Sequence, residues 1–120
     1  MANLLIVDDE NDVREFAANF FRRRKIHVTT AASGEDALLL LEKMVPDLIL
    51  LDIKMTGIDG IETLRRIRQK GIASKVIMVT GKKPDEEGSL EKCKEYTVSA
   101  YVHKPLELDE LESIVVKELE

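Results

Sequence analysis

The 120-residue chain has no tryptophan, and its aromatic content is only 4%. A folded core must therefore be built mainly from aliphatic side chains. A single cysteine, Cys93, excludes an intrachain disulfide and suits a reducing compartment. Long apolar runs are missing too: a stretch such as Ala37 to Leu41 is far too short to span a bilayer. Met1-Ala2-Asn3 offers no basic region ahead of an apolar segment, so no signal peptide is expected. Positive charge does not dominate, and the net charge of −5 disfavours a dedicated nucleic-acid binder. The expectation is a cytoplasmic domain without membrane insertion or direct nucleic-acid binding.

What is present argues for one globular unit over residues 1–120, with no output domain visible. Hydrophobic residues make up 44% of the chain, too many for a disordered segment. A chain of this length can bury a core without disulfide or metal staples. No internal repeat, linker or low-complexity stretch interrupts it.

The hydrophobic period switches repeatedly along the sequence. Leu4-Leu5-Ile6-Val7 reads as a buried strand ended by acids. Val13, Phe16, Ala17, Phe20 and Phe21 then recur at helical spacing, with Asn11 or Asp12 placed to cap the helix start. Val28 to Ala31 reads as a second strand. Ser33 and Asp36 suggest a capping box for a leucine-rich helix running to about Met44. Beyond Pro46, Leu48-Ile49-Leu50-Leu51 forms a third strand ending at Asp52. Ile61, Leu64 and Ile67 share a helical face, and Gly71 suits its C-terminal cap. Val76 to Val79 is a fourth strand, ending at Thr80-Gly81. A short helix near Leu90 to Tyr96, a fifth strand from Ala100 to His103, and a helix carrying Leu108, Leu111, Ile114, Val115 and Leu119 complete the pattern.

Strands that are apolar throughout and alternate with helices imply a parallel sheet covered on both faces. The predicted fold is α/β: a doubly wound five-stranded parallel sheet with five helices. In such sheets function collects beyond the carboxyl ends of the strands. Those ends carry Asp8 and Asp9, Asp52, Thr80, and Lys104. Carboxylates gathered there would repel, by roughly 4 kcal/mol for two charges about 4 Å apart at an effective dielectric near 20. A hard divalent cation relieves that repulsion, and Mg²⁺ commonly bridges carboxylates to a phosphate. A carboxylate can itself take a phosphoryl group as an acyl phosphate. Asp52 is the best nucleophile because it stands alone opposite the Asp8-Asp9 pair; Lys104 supplies fixed positive charge and Thr80 a hydroxyl donor.

These residues carry a resemblance. Ile6-Val7-Asp8-Asp9-Glu10, Leu50-Leu51-Asp52-Ile53-Lys54-Met55 with Gly60, Val79-Thr80-Gly81, and Tyr101 with Lys104-Pro105 follow one another as in the receiver domains of bacterial two-component response regulators. The chain resembles that family over essentially its full length, and the resemblance implies the flavodoxin-like strand order 2-1-3-4-5. The resemblance implies that Asp52 is the phospho-acceptor, and that Asp9, Asp52 and the backbone carbonyl of Lys54 bind Mg²⁺ directly, with Mn²⁺ as a substitute. Asp8 would act mainly through a metal-bound water. Lys104 would pair with the phosphoryl oxygens, and Thr80 with Tyr101 would form the switch pair. It further implies a cis Lys104–Pro105 bond. Implied partners are a sensor histidine kinase or histidine phosphotransfer protein, and a downstream effector on the face of the fourth helix, fifth strand and fifth helix, around Lys92, Tyr101 and Glu107. A homodimer through that face is also compatible. On this reading the chain is a switch that catalyses its own phosphorylation and slow dephosphorylation, and not a turnover enzyme.

Two positions depart from the family pattern: Thr56 stands where proline is usual, and Thr97-Val98 where Gly-Ala is common. Both bear on loop geometry and neither removes a reactive group. Lys54 and Lys82 occupy positions that tune phosphoryl loss in the family. Other residues read as ordinary. Cys93 suits a core-facing helix position, His27 and His103 are too isolated for a metal site, and Arg22-Arg23-Arg24-Lys25 favours a helix C-terminus. Among other classes, an aspartate phosphohydrolase would carry an acid where Lys54 stands. A flavin carrier would need a hydroxyl- and glycine-rich loop where Asp8-Asp9-Glu10 stands. A docking module without phosphotransfer would not need the intact acid, hydroxyl and lysine set.

Overall fold

The computed structural model describes residues 2–81 and 96–120. Its strands are β1 (Asn3–Val7), β2 (His27–Ala31), β3 (Leu48–Asp52), β4 (Lys75–Thr80) and β5 (Ala100–His103). They form one parallel sheet in the order β2-β1-β3-β4-β5, as expected from the sequence. Four helices stand among the described residues: α1 (Asn11–Arg22), α2 (Gly34–Leu40), α3 (Gly60–Gln69) and α4 (Leu108–Leu119). The expected helix near Leu90 to Tyr96, with Lys92 and Cys93 on it, falls almost entirely outside the described residues, as does Lys82.

Strand alternation divides the core in two. Leu4 and Ile6 of β1, Leu48 and Leu50 of β3, Ile77 and Val79 of β4, and Val102 of β5 pack with Ala17, Ala18 and Phe21 of α1 and Leu111 and Val115 of α4. The intervening residues Leu5, Val7, Ile49, Leu51, Val76 and Met78 pack with Ala37 of α2 and Leu64 and Ile67 of α3. Each central strand is thus buried on both faces, which is why it reads as a continuous apolar run and not as an alternation. Full burial of each such side chain contributes about 1.5–3 kcal/mol.

Helix ends follow local chemistry. Ser33 accepts the Asp36 N–H at 3.0 Å and Asp59 accepts the Glu62 N–H at 2.8 Å, each starting a helix. The sequence placed the α1 cap at Asn11 or Asp12, but the cap is Glu10, whose side chain makes no capping hydrogen bond to the helix. Asn11 is the first helical residue, and its side-chain oxygen is taken by Arg14. Helix α2 is shorter than its leucine pattern suggested: after Leu40 the chain tightens into turns ahead of Pro46. Helix α3 closes with a double bond pattern, Gly71 N–H to Arg68 at 3.0 Å and Ile72 N–H to Ile67 at 3.3 Å. Gly71 there takes φ +76°, the left-handed conformation this motif requires. The same pattern closes α1, with Lys25 N–H to Arg22 and Ile26 N–H to Phe21, but the left-handed residue is Lys25 at φ +62°. Arg68 then donates to the carbonyls of Ile72, Ser74 and Thr97, anchoring the segment that leads into β5.

Two arginines of the basic run at the end of α1 are engaged within the domain. Arg24 pairs with Glu112 of α4 and lies 3.5 Å from the Phe20 ring centroid, while Arg22 donates to the Val28 carbonyl. None of the described helices is long and apolar enough to cross a membrane.

Candidate functional site

The reversal in strand order lies between β1 and β3, and both strands end in acids. Val7 is in register with Leu51, so Asp8 follows β1 directly beside Asp52 at the end of β3. Asp8 and Asp52 are 4% and 3% exposed, and Asp9 is half-buried. One carboxylate oxygen from each of Asp8, Asp9 and Asp52 lies within 4.8 Å of the others. This all-oxygen, anionic donor set is the kind a hard divalent cation prefers, and the three residues can hold a metal ion.

Lys104 balances the cluster. It follows β5, its backbone N–H donates to the Thr80 carbonyl at 2.8 Å, and the Lys104–Pro105 bond is cis. Its Nζ lies 3.0 Å from Asp52 Oδ2, 3.5 Å from Asp8 Oδ2 and 3.4 Å from Glu10 Oε1. Burial pushes the Asp52 carboxyl up to about 6; the Lys104 hydrogen bond opposes that rise and the charges of Asp8 and Asp9 reinforce it. Burial draws the Lys104 ammonium down, but the hydrogen bond it donates to Asp52 and the surrounding acids outweigh that and hold the group above its ordinary value. At neutral pH the site therefore presents an ionised Asp52 whose charge is poorly solvated and countered by one lysine.

The loop after β3 frames the site. Gly60 N–H donates to the Ile53 carbonyl at 2.7 Å, and a Cβ at Gly60 would fall 2.2 Å from the Asp52 carbonyl oxygen. Only a residue without a side chain allows α3 to start this close to the acceptor strand. Across the loop, Asp9 Oδ2 accepts from Thr56 twice, from its N–H at 2.9 Å and its hydroxyl at 3.1 Å. Thr56 is thus a site residue that sequence reading took only as a change in loop geometry. A proline there could supply neither bond, because it has no N–H and no hydroxyl. Lys54 lies in the same loop with its side chain exposed.

Thr80 ends β4 and is 8% exposed. Its hydroxyl lies 2.6 Å from His103 Nδ1 and 3.5 Å from the Val102 carbonyl, both on β5. Tyr101 is half-buried on β5 and packs against the core half that holds Met78 and Leu64. The structure therefore brings Asp8, Asp9, Asp52 and Lys104 together, while the Thr80 hydroxyl is engaged elsewhere. His103, set aside in the sequence as isolated, is the residue that engages it. The signal that could have found it is the strand register, which pairs Thr80 with His103.

The comparisons agree with this geometry. The family profile described as "Response regulator receiver domain" matches residues 4–116. Sporulation initiation phosphotransferase F of Bacillus subtilis is 34% identical over 116 residues, covering 97% of this chain and 92% of that protein. Transcriptional regulatory protein AfsQ1 of Streptomyces coelicolor is 41% identical over 85 residues, 71% of this chain and 37% of its own length. Regulatory protein AtoC of Escherichia coli is 35% identical over 119 residues, 98% of this chain, which spans 25% of that protein. Among solved structures, a CheY-like response regulator receiver domain protein from Methanospirillum hungatei superposes with a TM-score of 0.92 at 25% identity, covering 99% of this chain and 94% of that one. The receiver domain of the Francisella response regulator 1452 gives 0.88 at 28% identity, covering 99% and 97%. The chain belongs to the response regulator receiver domain family, a phosphorylation-accepting switch.

Proposed function

We propose that Asp52 accepts the phosphoryl group. An Asp52 carboxylate oxygen attacks the phosphorus of a phosphorylated donor, the bond from phosphorus to the leaving group breaks, and the leaving group keeps that electron pair. The product is an acyl phosphate on Asp52. The single observation that carries this reading is the convergence of the Asp52 carboxylate, its 3.0 Å Lys104 ammonium and the Asp8–Asp9 cluster at the switch point of the sheet.

Asp8, Asp9 and Asp52, with the backbone carbonyl of Lys54, would hold Mg²⁺. When bound, the ion supplies neutralising charge for the phosphoryl oxygens. Lys104 contributes a further positive charge, already ion-paired to the attacking group. Because burial raises the proton affinity of Asp52, its ionised form is held as a less solvated and more basic nucleophile than a surface aspartate. The donor class is a histidine kinase or phosphotransfer protein, with which receiver domains pair. Modification would shift a pre-existing balance between two conformations, in which Thr80 turns its hydroxyl to the phosphoryl group and Tyr101 moves inward. The effector face includes Tyr101 of β5 and the start of α4 near the exposed Glu107. On this reading residues 1–120 are one receiver acting as a switch in the cytoplasm. Phosphoryl uptake from a small acyl-phosphate donor, followed by intact mass with Mg²⁺ and with chelator, tests the assignment against an Asp52→Asn variant.

A further inference from the structure

We infer that His103 is a positioning residue: a latch that holds the Thr80 hydroxyl on the β5 side of β4 and so opposes the conformational step that accompanies phosphorylation of Asp52. The inference rests on the proposed role of Asp52 and adds a residue to it. The argument begins with strand order. Strand β4 lies between β3, which carries Asp52, and β5, which carries His103. Thr80 is in register with His103, and its Oγ1 sits 2.6 Å from His103 Nδ1 with the Val102 carbonyl at 3.5 Å on the same side. Among the described residues, both polar neighbours of the hydroxyl belong to β5. To donate to a phosphoryl oxygen on Asp52, the hydroxyl must leave them and rotate toward β3.

The hydroxyl can meet Nδ1 in either neutral tautomer of the ring. It accepts if Nδ1 carries the proton, and then donates toward the Val102 carbonyl; it donates if Nδ1 is bare. In both cases one short bond to a partly buried oxygen must break before Thr80 can serve the site. His103 is exposed and its ring can turn to water, but Thr80 is 8% exposed, so the hydroxyl is the group that water cannot freely satisfy once the bond breaks. Lys104 follows His103 directly and donates its backbone N–H to the Thr80 carbonyl. The latch therefore sits on backbone already fixed to β4, and its release needs only side-chain rotation.

A net hydrogen bond of this kind biases an equilibrium by about two- to tenfold. Phosphorylation rates should be measured with an acyl-phosphate donor and Mg²⁺ for wild type, His103→Ala, His103→Asn, Thr80→Val and the His103→Ala/Thr80→Val pair. His103→Ala should phosphorylate about two- to tenfold faster than wild type. His103→Asn, whose side-chain amide can occupy the Nδ1 position, should return the rate to near wild type. In the Thr80→Val background the His103 substitution should have no effect, because the latch then has nothing to hold. Equal rates for wild type and His103→Ala, or the same acceleration in both Thr80 backgrounds, would overturn the latch. The Thr80 side-chain rotamer, read by NMR couplings in the unphosphorylated protein, separates this from the role of Asp52. If wild type takes up no phosphoryl group, the phospho-acceptor reading fails alone. The latch then stands if one rotamer dominates in wild type and averages in His103→Ala, and falls if the two proteins match.

Discussion

The ammonium of Lys104 sits 3.0 Å from Oδ2 of Asp52, although Asp52 ends β3 and Lys104 follows β5, with β4 between the two strands. The contact forms because the end of β5 is tied back to β4 by the Lys104 N–H to Thr80 carbonyl bond, which lets the long side chain reach across the strand ends. Three of the acids it meets or faces, Asp8, Glu10 and Asp52, lie within 3.5 Å of its Nζ. Lys104→Met should therefore leave the Asp52 carboxyl with less opposition to burial and raise its pKa further. Phosphoryl uptake should slow by roughly 10²-fold, the size typical of removing one charge-stabilising donor. Intact-mass time courses beside circular dichroism check this; an unchanged rate in a folded variant would contradict it.

The Asp52 carboxyl gives the metal-free protein a pH signature. Its pKa is about 6 in the fold against 3.8 as an ordinary aspartate, so the native state binds the proton more tightly than the unfolded chain. The group's stabilising contribution is present below about pH 4 and is lost as the pH rises through 6. A shift of that size corresponds to about 3 kcal/mol. Asp52→Asn cannot ionise. Urea denaturation in chelator from pH 4 to 8 should show the variant gaining on wild type as the pH rises, by up to about 3 kcal/mol, with a plateau above pH 7. A stability difference that does not change with pH would refute the assignment of the raised pKa.

Gly60 is the tightest packing position beside the acceptor. A methyl group there would meet the Asp52 carbonyl oxygen at 2.2 Å and Ile53 Cα at 2.7 Å, both backbone atoms that cannot swing aside. Gly60→Ala should destabilise by about 1–3 kcal/mol and displace the β3–α3 loop. Thermal denaturation measures the first effect, and slower phosphoryl uptake at a temperature where the variant is folded measures the second.

Lys25 occupies the left-handed C-terminal position of α1 that glycine fills in α3 as Gly71. Lys25→Gly should relieve about 1 kcal/mol of backbone strain and raise the melting temperature without altering phosphoryl uptake. A lower melting temperature would show that the lysine side chain contributes more than its backbone costs.

Much of the fold could be read from the chain because its periods are unambiguous. Leu48-Ile49-Leu50-Leu51, a short apolar run just past Pro46, reads as a strand covered on both faces, and the acids after β1 and β3 fall together once those strands are neighbours. Local competition was harder to read. Asn11 looks like a cap, yet its oxygen goes to Arg14, and the helix starts from Glu10. His103 and Thr56 were passed over for a shared reason: each acts through one partner on a different element. The Thr80–His103 pair depends on the register of β4 with β5, and the Thr56–Asp9 bonds depend on a loop folding back over β1. Neither relation leaves a period or motif in the sequence.

The most direct test is intact mass after incubation with Mg²⁺ and an acyl-phosphate donor, wild type beside Asp52→Asn. The account predicts one hydroxylamine-labile phosphoryl group on wild type, lost in chelator and absent from the variant. A phosphoryl group that persists in Asp52→Asn, or no uptake by wild type at high donor concentration, would contradict Asp52 as the acceptor.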